Sequence, residues 1–185
     1  LYYFGAARPQ TPKSFGQERR ASEGGGELRA QLKAAFLESA APDGLVAPEA
    51  LLLVGMTLLD LPRAVAHVMV RRVQAKMTPP AAAEGGVSWA VFEACYGQLE
   101  RGEEDKVRLF RVLRDPERSW LVRADVEQLV WAVAETHPGL EFLRDSAEFR
   151  AAYVETATLR IVWSLGGSGV QRIPLQRWRR SSLPE

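Results

Sequence analysis

Four connections in this chain share one layout, and that repetition limits the fold more than any other feature. Each joins two segments of helical apolar period, and each carries a small aliphatic residue just ahead of the second segment: Val46, Val87, Leu121 and Ile173. The flanking periods are plain. Leu28, Leu32 and Phe36 mark one face, and Trp89, Phe92, Tyr96 and Leu99 another. A helix is expected over Glu49 to Leu61, ended by Pro62, and a further one over Arg63 to Lys76 with Val65, Val68, Met69 and Val73 inward. Val107, Phe110 and Leu113 stripe the next, and Val126, Leu129, Val130 and Val133 the one after it. The chain reads as mostly α.

Helix, loop of about twelve residues, helix is the outline of an EF-hand, whose eighth loop residue is apolar and turned inward. Four such units imply two EF-hand-like pairs. Placing the aliphatic residues at loop position eight sets the metal-ligand positions one, three, five and twelve. They fall on Ser39, Ala41, Asp43 and Ala50 in the first loop, and on Pro80, Ala82, Glu84 and Val91 in the second. The third loop offers Arg114, Pro116, Arg118 and Asp125, and the fourth Gly166, Ser168, Val170 and Arg177. Calcium takes six to eight oxygens and normally a bidentate glutamate at position twelve. No loop supplies more than one carboxylate, so the loops are expected to be degenerate structural turns without metal.

Composition narrows the function. With 46% hydrophobic residues in 185, the chain can bury one sizeable core or two small ones. A net charge of +1 lacks the basic stripe of a nucleic-acid binder. The apolar run Leu51–Leu59 is far shorter than the roughly 20 residues of a membrane span and reads as a buried helix. Cys95 is the only cysteine, which excludes an internal disulfide and fits a reducing compartment. Residues 1–26 differ from the rest. They mix Tyr2, Tyr3 and Phe4 with prolines, basic residues and Gly24 to Gly26, and read as an extended arm ending in a flexible joint. The expected organisation is therefore the arm over 1–26, a first EF-hand-like pair over 27–100 and a second over 101–185. The chain starts without methionine and stops abruptly after "RRSSLPE", so the second pair is expected to be truncated from a longer protein.

One stretch, "THPGLEFLRDSAEF", reads as a corner. Pro138 disfavours helix at His137, so the preceding helix should stop at Thr136, and Gly139 permits a sharp reversal. Asp145 is expected to cap the next helix, with Glu148 reaching back, and that helix runs through Phe149, Tyr153, Ala157 and Ile161. Leu140, Phe142 and Leu143 are expected to fold beneath it as core. His137, Pro138, Gly139, Phe142, Phe149 and Tyr153 thus form the expected structural hinge.

The string "THPGLEFLRDSAEFRAAYVETATLRIVWSL" followed by "QRIPLQRWRRSSL" resembles the B-double-prime regulatory subunits of protein phosphatase 2A. That family has a His-Pro-Gly-Leu turn, a Phe-Leu pair, a Glu-Phe, a Tyr-x-x-Thr and an Arg-Ile helix. A degenerate EF loop and an Arg-Arg-Ser segment follow. "VSWAVFEACYGQL" is similar to the family's Val-Ser helix, with Tyr96 in place of a tryptophan, and Tyr3, Phe4, Gly5, Arg8 and Pro9 match its aromatic arm motif. The likeness is strong over 120–183 and weak over 10–80. Two departures stand out: Gln171 sits where the family has a glycine, and Arg177 where a glutamate usually closes the loop. The resemblance implies a non-catalytic subunit that binds the phosphatase scaffold and catalytic subunits and directs substrate choice or location in the cytoplasm. It implies partner contacts at Tyr3, Phe4, Arg8, Pro9, Arg179 and Arg180. Calcium would bind in a C-terminal part beyond this chain, and no cofactor is expected within it. The alternative is an architectural EF-hand-like protein of a cytoskeletal or ciliary assembly. Nucleic acid and membrane are not expected partners.

Catalytic vocabulary is sparse. His67, His137 and Cys95 lack metal-ligand spacing, and a histidine before proline reads as a turn residue. Glu103, Glu104, Asp105, Asp115 and Glu117 read as a solvated acidic face. "RRAS" and "RRSS" fit a basophilic kinase at Ser22 and Ser182, yet basic residues in a last helical turn are ordinary dipole partners.

Overall fold

The computed structural model describes residues 15–77, 86–99, 103–166 and 171–181, with backbone alone for 15–25. It is helical, with α1 over Phe15–Glu38, α2 over Pro48–Thr57, α3 over Arg63–Ala75 and α4 over Trp89–Tyr96. After them come α5 over Asp105–Leu113, α6 over Arg123–Thr136, α7 over Ala147–Gly166 and α8 over Leu175–Arg180. Four two-residue strands lie between helices: β1 Leu45–Val46, β2 Val87–Ser88, β3 Trp120–Leu121 and β4 Ile173–Pro174.

The strands show why those four aliphatic residues recur. β1 pairs antiparallel with β2, setting Val46 opposite Val87, and β3 pairs with β4, setting Leu121 opposite Ile173. All four side chains are fully buried. A two-residue strand cannot stand alone in water, so each loop needs its partner and the units come as two pairs. In the first loop Gly44, at position six, has φ +78°, and Asp43 Oδ1 accepts from the Leu45 amide at 2.9 Å. Position six is where an EF loop makes its sharp turn.

A single core runs through both pairs, and α3 is its axis. Val65, Ala66, Val68, Met69, Val70 and Val73 are all buried, because α3 packs on α2 behind it and on α5 and α6 in front. At the α2 crossing a Cβ on Gly55 would lie 2.7 Å from Met69 Cε. The first pair adds a ring cluster in which Phe36, Trp89, Phe92 and Tyr96 touch in series at centroid distances of 5.5 to 5.9 Å. Tyr96 is buried against the second pair, donating its hydroxyl to the Val112 carbonyl at 3.3 Å, and burial drives its phenol above the usual range.

Several expectations need correction. The arm and joint of residues 1–26 do not hold from Phe15 onward, since α1 runs straight through Gly24–Gly26. Glycine costs a helix only about 1 kcal/mol per residue, and here the far half of α1 is fixed by the buried Leu28, Leu32 and Phe36. The Leu51–Leu59 run is not buried all round, because Leu53 and Met56 face solvent from α2.

The corner also differs from its sequence reading. α6 ends at Thr136 as expected, and a 3₁₀ turn over Pro138–Leu143 follows. His137 caps that turn, its Nδ1 accepting from the Gly139 amide at 3.0 Å. Gly139 keeps a negative φ, and what it supplies is room, since a Cβ there would meet the His137 ring at 3.1 Å. Phe142 is 57% exposed and Phe149 54%, and they touch each other at 6.2 Å outside the core. Leu143 is the residue of the corner that goes inward, fully buried in the same core as Val154. The inward stripe of α7 is Val154, Thr158 and Leu165, with Tyr153, Ala157 and Ile161 at its edge. Ser146 rather than Asp145 caps α7, its Oγ accepting from the Phe149 amide at 3.3 Å, which shifts the helix register by one residue.

Truncating Leu143 to alanine is expected to cost about 2 to 5 kcal/mol, the range for a buried leucine. Phe142→Ala is expected to cost under about 1 kcal/mol, as for an exposed site. Urea denaturation of the two variants ranks them, and the reverse ranking would place the corner's core on the wrong residue.

Candidate functional site

The loops that would hold calcium are put to other uses. Among the described residues no group of three or more histidine, cysteine, aspartate or glutamate side chains gathers to hold a metal. In the first loop Asp43 is spent on the backbone turn. Glu84 and the core of the fourth loop lie outside the described residues. The third loop is described throughout, and it contains a charged cluster.

Asp125, at loop position twelve on the first turn of α6, is 3% exposed. Its Oδ2 accepts from the Val122 amide at 2.8 Å, closing the helix N-terminus. Its Oδ1 accepts from Arg118, at loop position five, at 3.0 Å and from Arg72 of α3 at 3.1 Å. Arg72 is buried as well and also donates to Gln128 Oε1 at 3.1 Å, while its Nε and Nη1 find no protein partner. Arg114, at loop position one, turns its Nη1 onto the carbonyls of Asp115 and Pro116 at 3.3 and 3.2 Å and onto that of Arg118. On the rim, Asp115 Oδ1 accepts from the Glu117 amide, and Lys76 of α3 bridges Glu117 at 2.9 Å and Asp115 at 3.6 Å. The Glu117 amide, aided by Lys76, Arg118 and Arg72, holds the Asp115 carboxyl below its usual range. The first pair is thereby clamped to the third loop through α3.

Among the described residues the remaining titratable groups are separate side chains rather than a reactive set. His67 is half-buried, and burial followed by Arg71 and Arg63 lowers its pKa. Cys95 is pushed up by burial, the reverse of an activated thiol. His137 is exposed on its turn.

Of the residues expected to touch partners, Arg179 and Arg180 lie on α8 and face solvent. α8 is anchored by Trp178, buried beside Phe110, whose Nε1 donates to the Lys106 carbonyl at 2.8 Å. Lys106 Nζ returns a bond to the Ser181 carbonyl at 2.6 Å, and Arg179 pairs with Glu104 at 2.6 Å. Glu104, Gln176, Arg179 and Arg180 line an open cleft of about 440 Å³. Tyr3, Phe4, Arg8 and Pro9 lie outside the described residues. Two features were missed in the sequence. One is the Asp125 cluster, whose cue was a pair of arginines at positions that usually carry acids. The other is the outer face of α7, where Phe149, Leu159 and Trp163 stand exposed, Trp163 by 63%. Its cue was their spacing, which falls on one side of a helix opposite Val154 and Leu165.

An EF-hand domain family matches residues 104–185. The chain is 33% identical over 100 residues to the human B''-beta regulatory protein of serine/threonine-protein phosphatase 2A, a match covering 54% of this chain and 17% of that protein. The mouse B''-delta regulatory protein of the same phosphatase gives 33% over 100 residues, 54% of this chain and 20% of its own length. A probable B''-delta regulatory protein of phosphatase 2A from Arabidopsis thaliana gives 34% over 76 residues, 41% of this chain and 14% of that protein. The chain is thus similar to B'' regulatory subunits over about half its length and spans no more than a fifth of these relatives. Among the described residues no helix is long and apolar enough to cross a membrane.

Asp125→Ala leaves two guanidinium groups facing an uncharged wall and is expected to cost about 3 to 5 kcal/mol, the loss for breaking a buried ion pair. Lys76→Ala, on an exposed pair, is expected to cost under about 1 kcal/mol; chemical denaturation compares them. His67 has a folded pKa below its unfolded value near 6.5, so the unfolded chain binds its proton first and stability drops as pH falls through 6.5. The melting temperature is expected to decline between pH 7.5 and 5.5, and to decline less in His67→Gln, as read by thermal melts across that range.

Proposed function

We propose that this chain is part of a non-catalytic regulatory subunit of serine/threonine protein phosphatase 2A, one that binds the scaffold and catalytic subunits and directs substrate choice or location. The observation that carries the reading is the similarity to B'' regulatory subunits of three organisms over 41 to 54% of the chain. The side-chain inventory agrees with it. Among the described residues no nucleophile, base and orienting group come together in the way a hydrolase requires; in this reading the chemistry belongs to the partner's metal site. What this chain offers is surface. Arg179 and Arg180 stand on an anchored helix, and the Phe142, Phe149, Leu159 and Trp163 face gives a partner apolar area to bury. Tyr3, Phe4, Arg8 and Pro9 add a second contact in this reading.

Calcium has no role within the chain itself on this view. Each loop has at most one carboxylate at the ligand positions, far below the six to eight oxygens the ion takes. A calcium response would reside in a part of the protein outside this chain, and the setting is the reducing cytoplasm.

Purified chain used as bait is expected to capture the phosphatase scaffold and catalytic subunits from cell extract, and to bind the recombinant heterodimer directly. Arg180→Glu, at a charge on α8 other than the one paired with Glu104, is expected to weaken that binding several-fold with little change in melting temperature. Capture of cytoskeletal or ciliary proteins with no phosphatase component, and no direct binding to the heterodimer, would favour an architectural role instead.

A further inference from the structure

We propose that the third EF loop is a cation site whose cation is the chain's own Arg118 guanidinium, with Arg114 as its companion. In a metal-loaded loop the ion sits at the centre and joins three kinds of ligand: side chains at positions one, three and five, the backbone carbonyl of position seven, and the carboxylate at position twelve. The carboxylate contact matters most for shape, because it ties the loop to the first turn of the exiting helix. Two of those kinds of contact, to the position-twelve carboxylate and to loop carbonyls, are made here by guanidinium groups. The position-twelve carboxylate is Asp125, nine-tenths buried, and it receives Arg118 from position five at 3.0 Å. Loop carbonyls, those of Asp115, Pro116 and Arg118, turn onto the guanidinium of Arg114 from position one. Donor and acceptor have exchanged places: acids that would hold a cation are replaced by cations that hold what the metal held.

An isolated buried carboxylate is strongly disfavoured, and the loop answers that with tethered charge. A tethered cation does not dissociate, so the loop stays in its closed form at every calcium level. Arg72 reaches the same Oδ1 from α3 at 3.1 Å, so the first pair grips the filled site directly. The second pair would then be permanently in the loaded state, whichever protein the chain regulates, and the fully buried Leu121–Ile173 contact would remain formed with it.

Three variants test this. Arg118→Met keeps an unbranched side chain and removes charge and donors; Arg118→Lys keeps charge. The first is expected to lower the melting temperature by about 5 °C, in line with a lost hydrogen bond to a charged group, and the second by less than half of that. Arg114→Asp with Arg118→Asp restores acids at positions one, five and twelve and vacates the centre. That double variant is expected to bind terbium with luminescence sensitised by Trp120 at loop position seven, and to melt higher with millimolar calcium. Wild type is expected to show neither. Should the double variant be unfolded without metal, calcium is expected to fold it. The proposal is overturned if wild type binds terbium with Trp120-sensitised emission, if Arg118→Met melts like wild type, or if Arg118→Lys melts as low as Arg118→Met. Failure of the double variant to take terbium or respond to calcium, folded or not, overturns it as well.

Discussion

Everything in this fold rests on loops that cannot exist singly. Val46, Val87, Leu121 and Ile173 are each the buried side chain of a two-residue strand, which alone could not hold it out of water. Setting Val46 against Val87 and Leu121 against Ile173 removes all four from water. Burying a side chain of that size is worth about 1.5 to 3 kcal/mol, and the backbone bonds between strands come with it. The helices then have no freedom of direction, since each pair of loops fixes where four helices begin and end.

The second constraint is electrostatic. A carboxylate at the foot of α6 lies in the core, and burial without partners would cost far more than the net stability of a domain of this size. Arg118 and Arg72 approach it from different parts of the chain, one from the loop and one from α3. Buried pairs of this kind stabilise little in net terms against a well-packed apolar alternative, but removing one partner is severe. They act by specifying an arrangement: α3 fits only where Arg72 meets Asp125.

The periodic apolar residues made the helices legible in advance, and the four aliphatic residues made their pairing legible, because both are properties of neighbouring positions. What sequence could not convey was which of two adjacent residues faces in. Phe142 and Leu143 are both large and apolar, and only the 3₁₀ geometry after His137 turns the leucine inward and leaves the phenylalanine outside. Ser146 and Asp145 are both competent caps one residue apart, and the observed cap is Ser146. The arginines of the third loop were visible as an absence of calcium ligands. That they supply the missing charge needs Asp125 seen at the same point in space, with Arg72 arriving from 53 residues away. The glycine triplet misled because a local preference for flexibility yields to a helix already anchored further along.

The central place of α3 has a consequence for how the molecule divides. Its faces toward α2 and toward α5 and α6 are both buried, so the helix belongs equally to the two pairs. A cut between residues 99 and 103 would match the apparent boundary of the repeats. It would strip α3 of half its cover and leave Arg72 and Asp125 as stranded charges on opposite fragments. Duplicated in pattern, the pairs are not separable parts: neither is a module that shuffling or truncation could carry elsewhere intact.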